Sequence, residues 1–188
     1  MSKGQPGPAA PEPDALSSIV RAVRSKDAAP VHLWDPPYCG DIGLEIRADA
    51  TWFYQGSPIG RRALVELFAS VLRKDEDGRT YLVTPAEKVD VHVADAPFLA
   101  VEITISGEGP AQQVNLRTNL DTWVCVNETH PIRFVQQASS GGLKPYVLVR
   151  GRLEALLVRS VYFDLVALAT QADPPGFWSG GKWWPLAS

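Results

Sequence analysis

The feature that most limits the fold of this chain is an internal repeat. Residues 49–59 read DATWFYQGSPI and residues 121–132 read DTWVCVNETHPI, so each stretch runs from an aspartate through Thr-Trp to a polar turn and Pro-Ile. The strand-like TYLV at 80–83 returns as PYVLV at 145–149 in the same order. Similarity that recurs in order along a chain is typical of a duplicated structural unit. The sequence therefore predicts two related units within its 188 residues.

Each unit begins with short segments that predict β-strands. IGLEIR and TWFYQ predict a hairpin in the first unit, and QVNLRT and TWVCVN predict its counterpart in the second. In the first unit Ser57 and Pro58 are a cap residue and a first-turn proline, and they predict a helix that runs to about Lys74. In the second unit this helix is expected to shrink to a turn or two. We predict an α+β fold in which two repeated β-hairpin/helix/β-strand units pack together.

An N-terminal helix is predicted before the repeats. Asp14 can cap a helix that begins at Ala15 and runs to about Lys26, with Leu16 and Ile19 on its apolar stripe. Such a stripe indicates that the helix docks on the rest of the protein. The helix is therefore predicted to be part of the folded domain.

The C-terminal region leaves alternatives open. Residues 153–170 have helical periodicity, whereas the repeat places two strands there. We favour the end of a strand followed by a helix from about Ser160 to Thr170. The Trp-rich tail GFWSGGKWWPLAS is interpreted as a loosely docked arm, a partner-binding segment or a disordered end.

These patterns predict five parts along the chain. They are a disordered tail at 1–13, the N-terminal helix and a loop at 14–41, the first repeat unit at 42–110, the second at 111–171, and the Trp-rich tail at 172–188. The first part is predicted to be disordered because it holds four prolines among small and polar residues, which cannot bury enough apolar surface to become ordered.

Composition and charge narrow the class of function. Hydrophobic residues make up 45% and charged residues 21% of the chain, as in an ordinary globular protein. The formal net charge of −3 gives no general attraction to nucleic acid or to anionic membranes. We expect neither a membrane span nor a secretory signal, because the sequence has no long apolar run. Cys39 and Cys125 lack the spacing of a zinc site or a disulfide framework. We therefore expect a cytoplasmic protein with no cofactor and no metal.

Arg61 is the residue on which a binding hypothesis rests. On a helix that starts at Pro58, Arg61 falls between Phe68 and Leu72 and would point toward protein. Arginine in a first turn also opposes the helix dipole. A bound anion would compensate, because free N–H groups and arginine together attract anions. The alternative is an ion pair with Glu87 or a side chain that reaches water.

A second candidate lies at the corner LVTPAEK. The chain leaves a strand at Thr84 and returns with Glu87 and Lys88, so this corner offers a hydroxyl, a carboxylate and an ammonium. As structure alone, its Thr and Glu would satisfy backbone donors. The predicted ligand-binding residues from both units are Trp52, Arg61, Thr84, Glu87, Lys88, Arg117 and Asn119.

An enzymatic alternative has fewer residues to draw on. His32 with Asp35, or Asp90 with His92 on one face of a strand, could supply an acid/base pair or two metal ligands. Neither pair gains a third ligand by spacing, and the common hydrolase and nucleotide-binding motifs are absent from the sequence. A metal-dependent or acid/base hydrolase stays the alternative function. Nucleic-acid binding is disfavoured by the acidic balance.

Several longer motifs resemble those of a known bacterial family. They are GDIGLEIRADATWFYQGSPIGRRALVELFASVLR, DGRTYLVTPAEKVDVHVADAPF, LRTN and HPI, within residues 34–170. On these motifs the chain resembles the family catalogued as domain of unknown function 1285. The resemblance implies a small α+β protein with a duplicated unit and a part in signal transduction, and it transfers no catalytic residues. We expect a cytoplasmic binding or regulatory module for an anionic small molecule or a protein partner.

Overall fold

The computed structural model describes residues 15–23, 29–137, 141–169 and 174–186. The tail predicted at 1–13 lies outside them. Within these ranges the chain is mostly β-structure with some helix. None of the helices in them has the length and hydrophobicity needed to cross a bilayer.

The first six strands form one sheet. Their bounds are Leu44–Ile46 (β1), Trp52–Tyr54 (β2), Ser57–Pro58 (β3), Leu72–Lys74 (β4), Thr80–Val83 (β5) and Lys88–Val93 (β6). The order across this first sheet is β3-β2-β1-β6-β5-β4. Neighbouring strands are antiparallel except for β1 and β6, which pair in parallel at the centre.

The next six strands form a second sheet of the same design. Their bounds are Phe98–Ser106 (β7), Gln113–Thr118 (β8), Trp123–Cys125 (β9), Ile132–Gln136 (β10), Leu143–Arg150 (β11) and Leu153–Leu157 (β12). The order is β10-β11-β12-β7-β8-β9, and the central pair, β12 with β7, is again parallel. Each strand of the first sheet has its counterpart six strands later. The predicted duplication is confirmed as two similar six-stranded sheets.

In the described parts of the chain, three α-helices accompany the sheets: Ala15–Ala22 (α1), Arg62–Ser70 (α2) and Arg159–Leu168 (α3). The prediction of a strand followed by a helix in 153–170 is confirmed by β12 and α3. In α1, Ile19 is fully buried and the Ser18 hydroxyl donates to a Glu87 carboxylate oxygen at 2.5 Å. Residues 24–28 of the predicted first helix lie outside the described residues.

The predicted helix from Pro58 to Lys74 is wrong at both ends. Pro58 lies in β3, an edge strand, where a proline without an N–H group is tolerated. At the other end the helix stops at Ser70, whose hydroxyl donates to the Leu67 carbonyl at 2.7 Å. The following residues then pair with β5 as β4. Strand pairing has overridden helical periodicity here.

The two repeated sequence stretches contain the same kind of turn, but they do not occupy equivalent positions in the two sheets. Ala50 and Asp121 both have φ of 60°, and each closes the same tight turn, between Arg47 and Thr51 in one case and between Thr118 and Thr122 in the other. The first turn joins β1 to β2, whereas the second joins β8 to β9, and these hairpins are not counterparts in the two sheets. TYLV and PYVLV, by contrast, are true counterparts in β5 and β11.

The boundary between the sheets lies in the linker 94–97. The predicted first unit, 42–110, extends past the first sheet, because β7 belongs to the second. In the second sheet the counterpart of α2 is a turn at 127–130, where the Asn127 carboxamide oxygen accepts from the Thr129 and His130 N–H groups at 2.9 Å. The second unit therefore has a turn at the place where a helix of a turn or two was expected.

The Trp-rich tail is an ordered hairpin within 174–186. It consists of Gly176–Ser179 (β13) and Lys182–Pro185 (β14). Phe177 and Trp184 are buried in the same apolar core that both sheets share. The interpretation of this tail as a disordered end is wrong for these residues.

Candidate functional site

A groove of about 880 Å³ lies where the first sheet meets the second. One side is the segment 29–32, another is β4 with Asp75, and the third is the turn 150–153 between β11 and β12. We call this the inter-sheet groove. Cavities of roughly 300–1,000 Å³ are typical of small-molecule sites. Both sheets therefore contribute to one space of a suitable size for a ligand.

Arg150 is the most unusual side chain of this groove. It follows an irregularity in the pairing of β11 with β12, and such a bulge redirects a side chain. One terminal nitrogen donates to the Ala69 carbonyl at 2.5 Å, and the guanidinium carbon lies 5.3 Å from the Phe98 ring centroid. Burial lowers the pKa of the Arg150 guanidinium. No carboxylate in the described parts of the chain forms an ion pair with it.

Arg73, by contrast, is fully engaged with protein groups. Its guanidinium binds Asp75 at 2.6 Å and donates to the carbonyls of Val31 and Trp34, both at 2.7 Å. Lys88 adds a second cation to Asp75 at 3.3 Å. This network fastens the segment that forms one side of the groove, so that side is held in place without a ligand.

Two further cations line the groove. Arg152 is exposed and pairs with the exposed Glu76 at 2.7 Å. Lys74 is partly buried, and no ion pair is found for it among the residues that the structure describes. The groove therefore has two cations for which the described residues supply no counter-charge, Arg150 from the second sheet and Lys74 from the first.

Trp52 and Arg61, predicted to bind a ligand, lie apart from the groove's lining. Trp52 is 1% exposed and packs on Phe68, with ring centroids 6.2 Å apart. Its indole N–H has no hydrogen-bond partner within the described residues. Arg61 stands one residue before α2 in extended backbone and is exposed. It does not point toward protein as expected, because the helix starts at Arg62 and not at Pro58.

The Thr84 to Lys88 corner makes structural contacts. The Thr84 hydroxyl oxygen accepts from the N–H groups of Ala86 at 3.3 Å and Glu87 at 3.2 Å. Glu87, considered above as a partner of Arg61, instead accepts from Ser18. The Lys88 ammonium lies over the Tyr81 ring at 4.6 Å. These contacts match the structural interpretation of the corner.

Arg117 belongs to an ion-pair chain that joins the second sheet to α2. It binds Glu102 and Asp121, both at 2.6 Å, and Asp121 also accepts from Arg62 of α2 at 2.5 Å. Arg62 pairs in addition with Glu66 at 2.8 Å, as the helical spacing predicts. The structure thus brings Arg117 to the start of α2, beside Arg62.

Asn119 lies in the turn between β8 and β9. Its side-chain oxygen accepts from the Leu99 N–H at 3.0 Å, and its own N–H donates to the Leu99 carbonyl at 2.8 Å. Asn119 therefore holds the beginning of β7.

The residues of the hydrolase alternative are not assembled into a cluster. Asp90 is buried and accepts from the Tyr38 hydroxyl and, at 2.5 Å, from Arg79. His92 is 75% exposed and lies 3.4 Å from Asp41. His32 and Asp35 are both exposed. Within the described ranges, no three His, Cys, Asp or Glu side chains are grouped so as to hold a metal ion.

Sequence reasoning missed Arg150 and Lys74. The one available signal was the sequence Arg-Gly-Arg at 150–152, which places two cations around a turn glycine. The approach of Arg150 to Ala69 joins the end of β11 to α2, and nothing in the local sequence encodes it.

Family models match both halves of the chain. The model described as "Domain of unknown function (DUF1285), N-terminal domain" matches residues 29–96, and "Protein of unknown function (DUF1285), C-terminal domain" matches residues 97–186. The division between the two models falls in the linker between the sheets. No curated protein matches the sequence.

Two solved structures are similar to this chain. A DUF1285 family protein from Silicibacter pomeroyi DSS-3 is 45% identical, with a TM-score of 0.88 over 94% of this chain and 97% of that one. A DUF1285 family protein from Shewanella baltica OS155 is 26% identical, with a TM-score of 0.53 over 66% of this chain and 91% of that one.

Proposed function

We propose that this chain, which belongs to the DUF1285 family, is a binding module that holds a small anion in the inter-sheet groove. The single observation that carries this function is the partly buried Arg150 without a carboxylate partner in the described residues. Taking a cation out of water costs free energy unless a counter-charge compensates. A bound anion would supply that counter-charge.

Other arginines of comparable burial show the contrast. Arg73 has 17% of its side chain exposed and pairs with Asp75, and Arg117 has 30% exposed and pairs with Glu102 and Asp121. Arg150 is the exception within the described chain. Its bond to Ala69 places a cation at the C-terminal end of α2, which stabilises a helix by about 0.3–1 kcal/mol. That bond uses one of five guanidinium N–H donors, which leaves capacity for a ligand.

The position of the groove supports a regulatory role. Its lining comes from both sheets, so an anion bound by Lys74 and Arg150 would join the two units. A ligand that bridges two units changes how firmly they are held together, and this is how binding can be passed on to a partner. Such a role agrees with the part in signal transduction that the family resemblance implies.

The test is anion binding by the folded protein and by matched variants. Inorganic phosphate and acetate are titrated at constant ionic strength into the wild type, Arg150→Met and Arg47→Met, with the affinity measured by calorimetry. Arg47 is an exposed arginine directly after β1 that pairs with Glu45, so its variant controls for the general loss of charge. We expect Arg150→Met to weaken binding by about 10- to 100-fold, the range for losing a hydrogen bond to a charged group.

Two results would overturn this function. One is that neither anion binds the folded wild type, and the other is that Arg150→Met binds as tightly as Arg47→Met. Should Arg150→Met not fold, Lys74→Met removes the second uncompensated cation from an edge strand, and we expect it to weaken binding as well. Saturation at 100 times the dissociation constant adds about 2.7 kcal/mol to stability, so melting temperature provides a second measurement.

A further inference from the structure

We infer that the ligand of the inter-sheet groove is a monocarboxylic acid with an elongated apolar body, bound by its carboxylate at Arg150 and Lys74. This inference rests on the proposed function and narrows the class of ligand. It follows from the number of free charges in the groove, from the apolar surface beside them and from the size of the cavity.

The positive charge that is left unpaired in the groove suits a ligand of low negative charge. Arg73 is committed to Asp75 and to two backbone carbonyls, and Arg152 is paired with Glu76. A polyanion that recruited Arg73 would have to break the contacts that fasten the segment 29–34. Asp75 also lines the groove and repels additional negative charge. A guanidinium can bind a carboxylate through two parallel N–H bonds, so a single carboxylate matches the two remaining cations, Arg150 and Lys74.

Apart from the exposed His32, the rest of the lining is apolar. Leu72 and Leu153 are 1% and 2% exposed and form the floor of the groove, while Ala29, Pro30 and Val31 form a partly exposed side. This side is preformed, because the Ala29 N–H donates to the Ser70 carbonyl at 3.0 Å and Arg73 holds the Val31 carbonyl. An apolar surface fixed next to two cations fits a molecule with a charged end and an apolar body.

The size of the cavity supports the same class of ligand. A carboxylate or phosphate group alone would occupy a small part of 880 Å³, and the apolar side would stay in water. An alkyl or aromatic body removes that surface from water, which contributes about 25 cal/mol per Å². The ligand is thus expected to gain affinity from its body as well as from its charge.

The experiment measures how affinity depends on chain length. Acetate, butanoate, hexanoate and octanoate are titrated by calorimetry at constant ionic strength, with octan-1-ol as an uncharged ligand of the same length as octanoate. We expect affinity to rise about threefold to fourfold per methylene until the groove is filled, as for burial of methylene groups elsewhere. Octan-1-ol should bind at least about tenfold more weakly than octanoate, because it cannot make the charge-assisted bonds.

Two variants separate the head from the body of the ligand. Arg150→Met should weaken the binding of every acid by the same factor, whereas Val31→Ser should weaken octanoate more than acetate and so reduce the gain per methylene. The Val31 substitution keeps the backbone carbonyl that Arg73 holds.

Each outcome has a separate meaning. If acetate and phosphate bind through Arg150 but chain length has no effect, the ligand class inferred here is wrong and the anion-binding function stands. If octan-1-ol binds as well as octanoate, the carboxylate does not direct binding and the inferred class is likewise wrong. If no acid and no phosphate binds, both the class and the proposed function are overturned.

Discussion

The two sheets have the same strand order but are covered by different parts of the chain. In the first, α2 packs over the sheet and Phe68 contacts Trp52 of β2. In the second, the segment at the position of α2 is a short turn, and the C-terminal hairpin packs against β8, the counterpart of β2. The Ser179 hydroxyl of this hairpin accepts from the Val114 N–H at 3.0 Å and donates to the Val126 carbonyl at 2.6 Å.

The contact between the hairpin and the turn shows how one cover replaces the other. A β-carbon added to Gly180 would lie 2.6 Å from the β-carbon of Asn127, in the turn that takes the place of α2. Gly180 also has φ of +59°, a conformation that favours glycine. The hairpin therefore sits directly on the shortened segment. A duplicated sheet can exchange its covering element as long as some other apolar segment buries the same face.

The largest expected effect compares the two covers directly. Phe68→Ala and Phe177→Ala each remove a ring that is at most 1% exposed, and each should lower the free energy of unfolding by about 3–5 kcal/mol. Urea unfolding measures both. Phe163→Ala, at a position that is 53% exposed on α3, serves as the control and should stay within about 0.5 kcal/mol of the wild type. If Phe177→Ala leaves the free energy of unfolding unchanged, the hairpin does not cover the second sheet as α2 covers the first.

A smaller effect tests how the hairpin is attached. Ser179→Ala leaves the Val114 N–H and the Val126 carbonyl without their partner in a buried place, which should cost about 1–3 kcal/mol. The control is Ser106→Ala, an exposed serine at the end of β7, which should change stability little. Equal stabilities of the two variants would show that the hairpin is held by apolar packing alone.

The smallest effect concerns the linker that joins the two sheets. Burial raises the pKa of Asp95, but hydrogen bonds from Lys144 and Tyr146 outweigh it, so the pKa is lowered from 3.8. The resulting stabilisation is present above the unfolded-state value and is lost as pH falls through the lower folded-state value. The difference in unfolding free energy between the wild type and Asp95→Asn should therefore shrink on acidification. Because the group is partly exposed, screening keeps this effect small. Parallel stability curves for the two proteins would contradict it.

The sequence predicted the β-structure well and the extent of α2 poorly. Strands such as TYLV and KVDVHV were recognisable because they are rich in β-branched and aromatic residues or alternate strictly. Val71 and Leu72 also fit the helical stripe of α2. Only the pairing with β5, which the local pattern does not contain, assigns Leu72 to a strand. The tail could not be placed for the same reason, since its partners Val114 and Val126 lie far back along the chain.

The candidate site was less accessible from sequence than the fold. The hypothesis for Arg61 depends on a helix that starts at Pro58, and the start of α2 at Arg62 removes the unusual position of this arginine. Arg150 becomes unusual only when the carbonyl of Ala69 and the ring of Phe98 approach it. Whether a charged side chain has a partner depends on residues that are distant in the sequence, so a local motif does not reveal it.

The parallel pair at the centre of each sheet has a consequence for folding kinetics. β1 with β6, and β7 with β12, are the first and last strands of their sheets, so the central pairing joins the residues that are farthest apart along each unit. Closing such a long loop costs entropy before its contacts form. Topologies dominated by distant pairings fold slowly. Each sheet should therefore gain its central pair late, after the outer hairpins have formed.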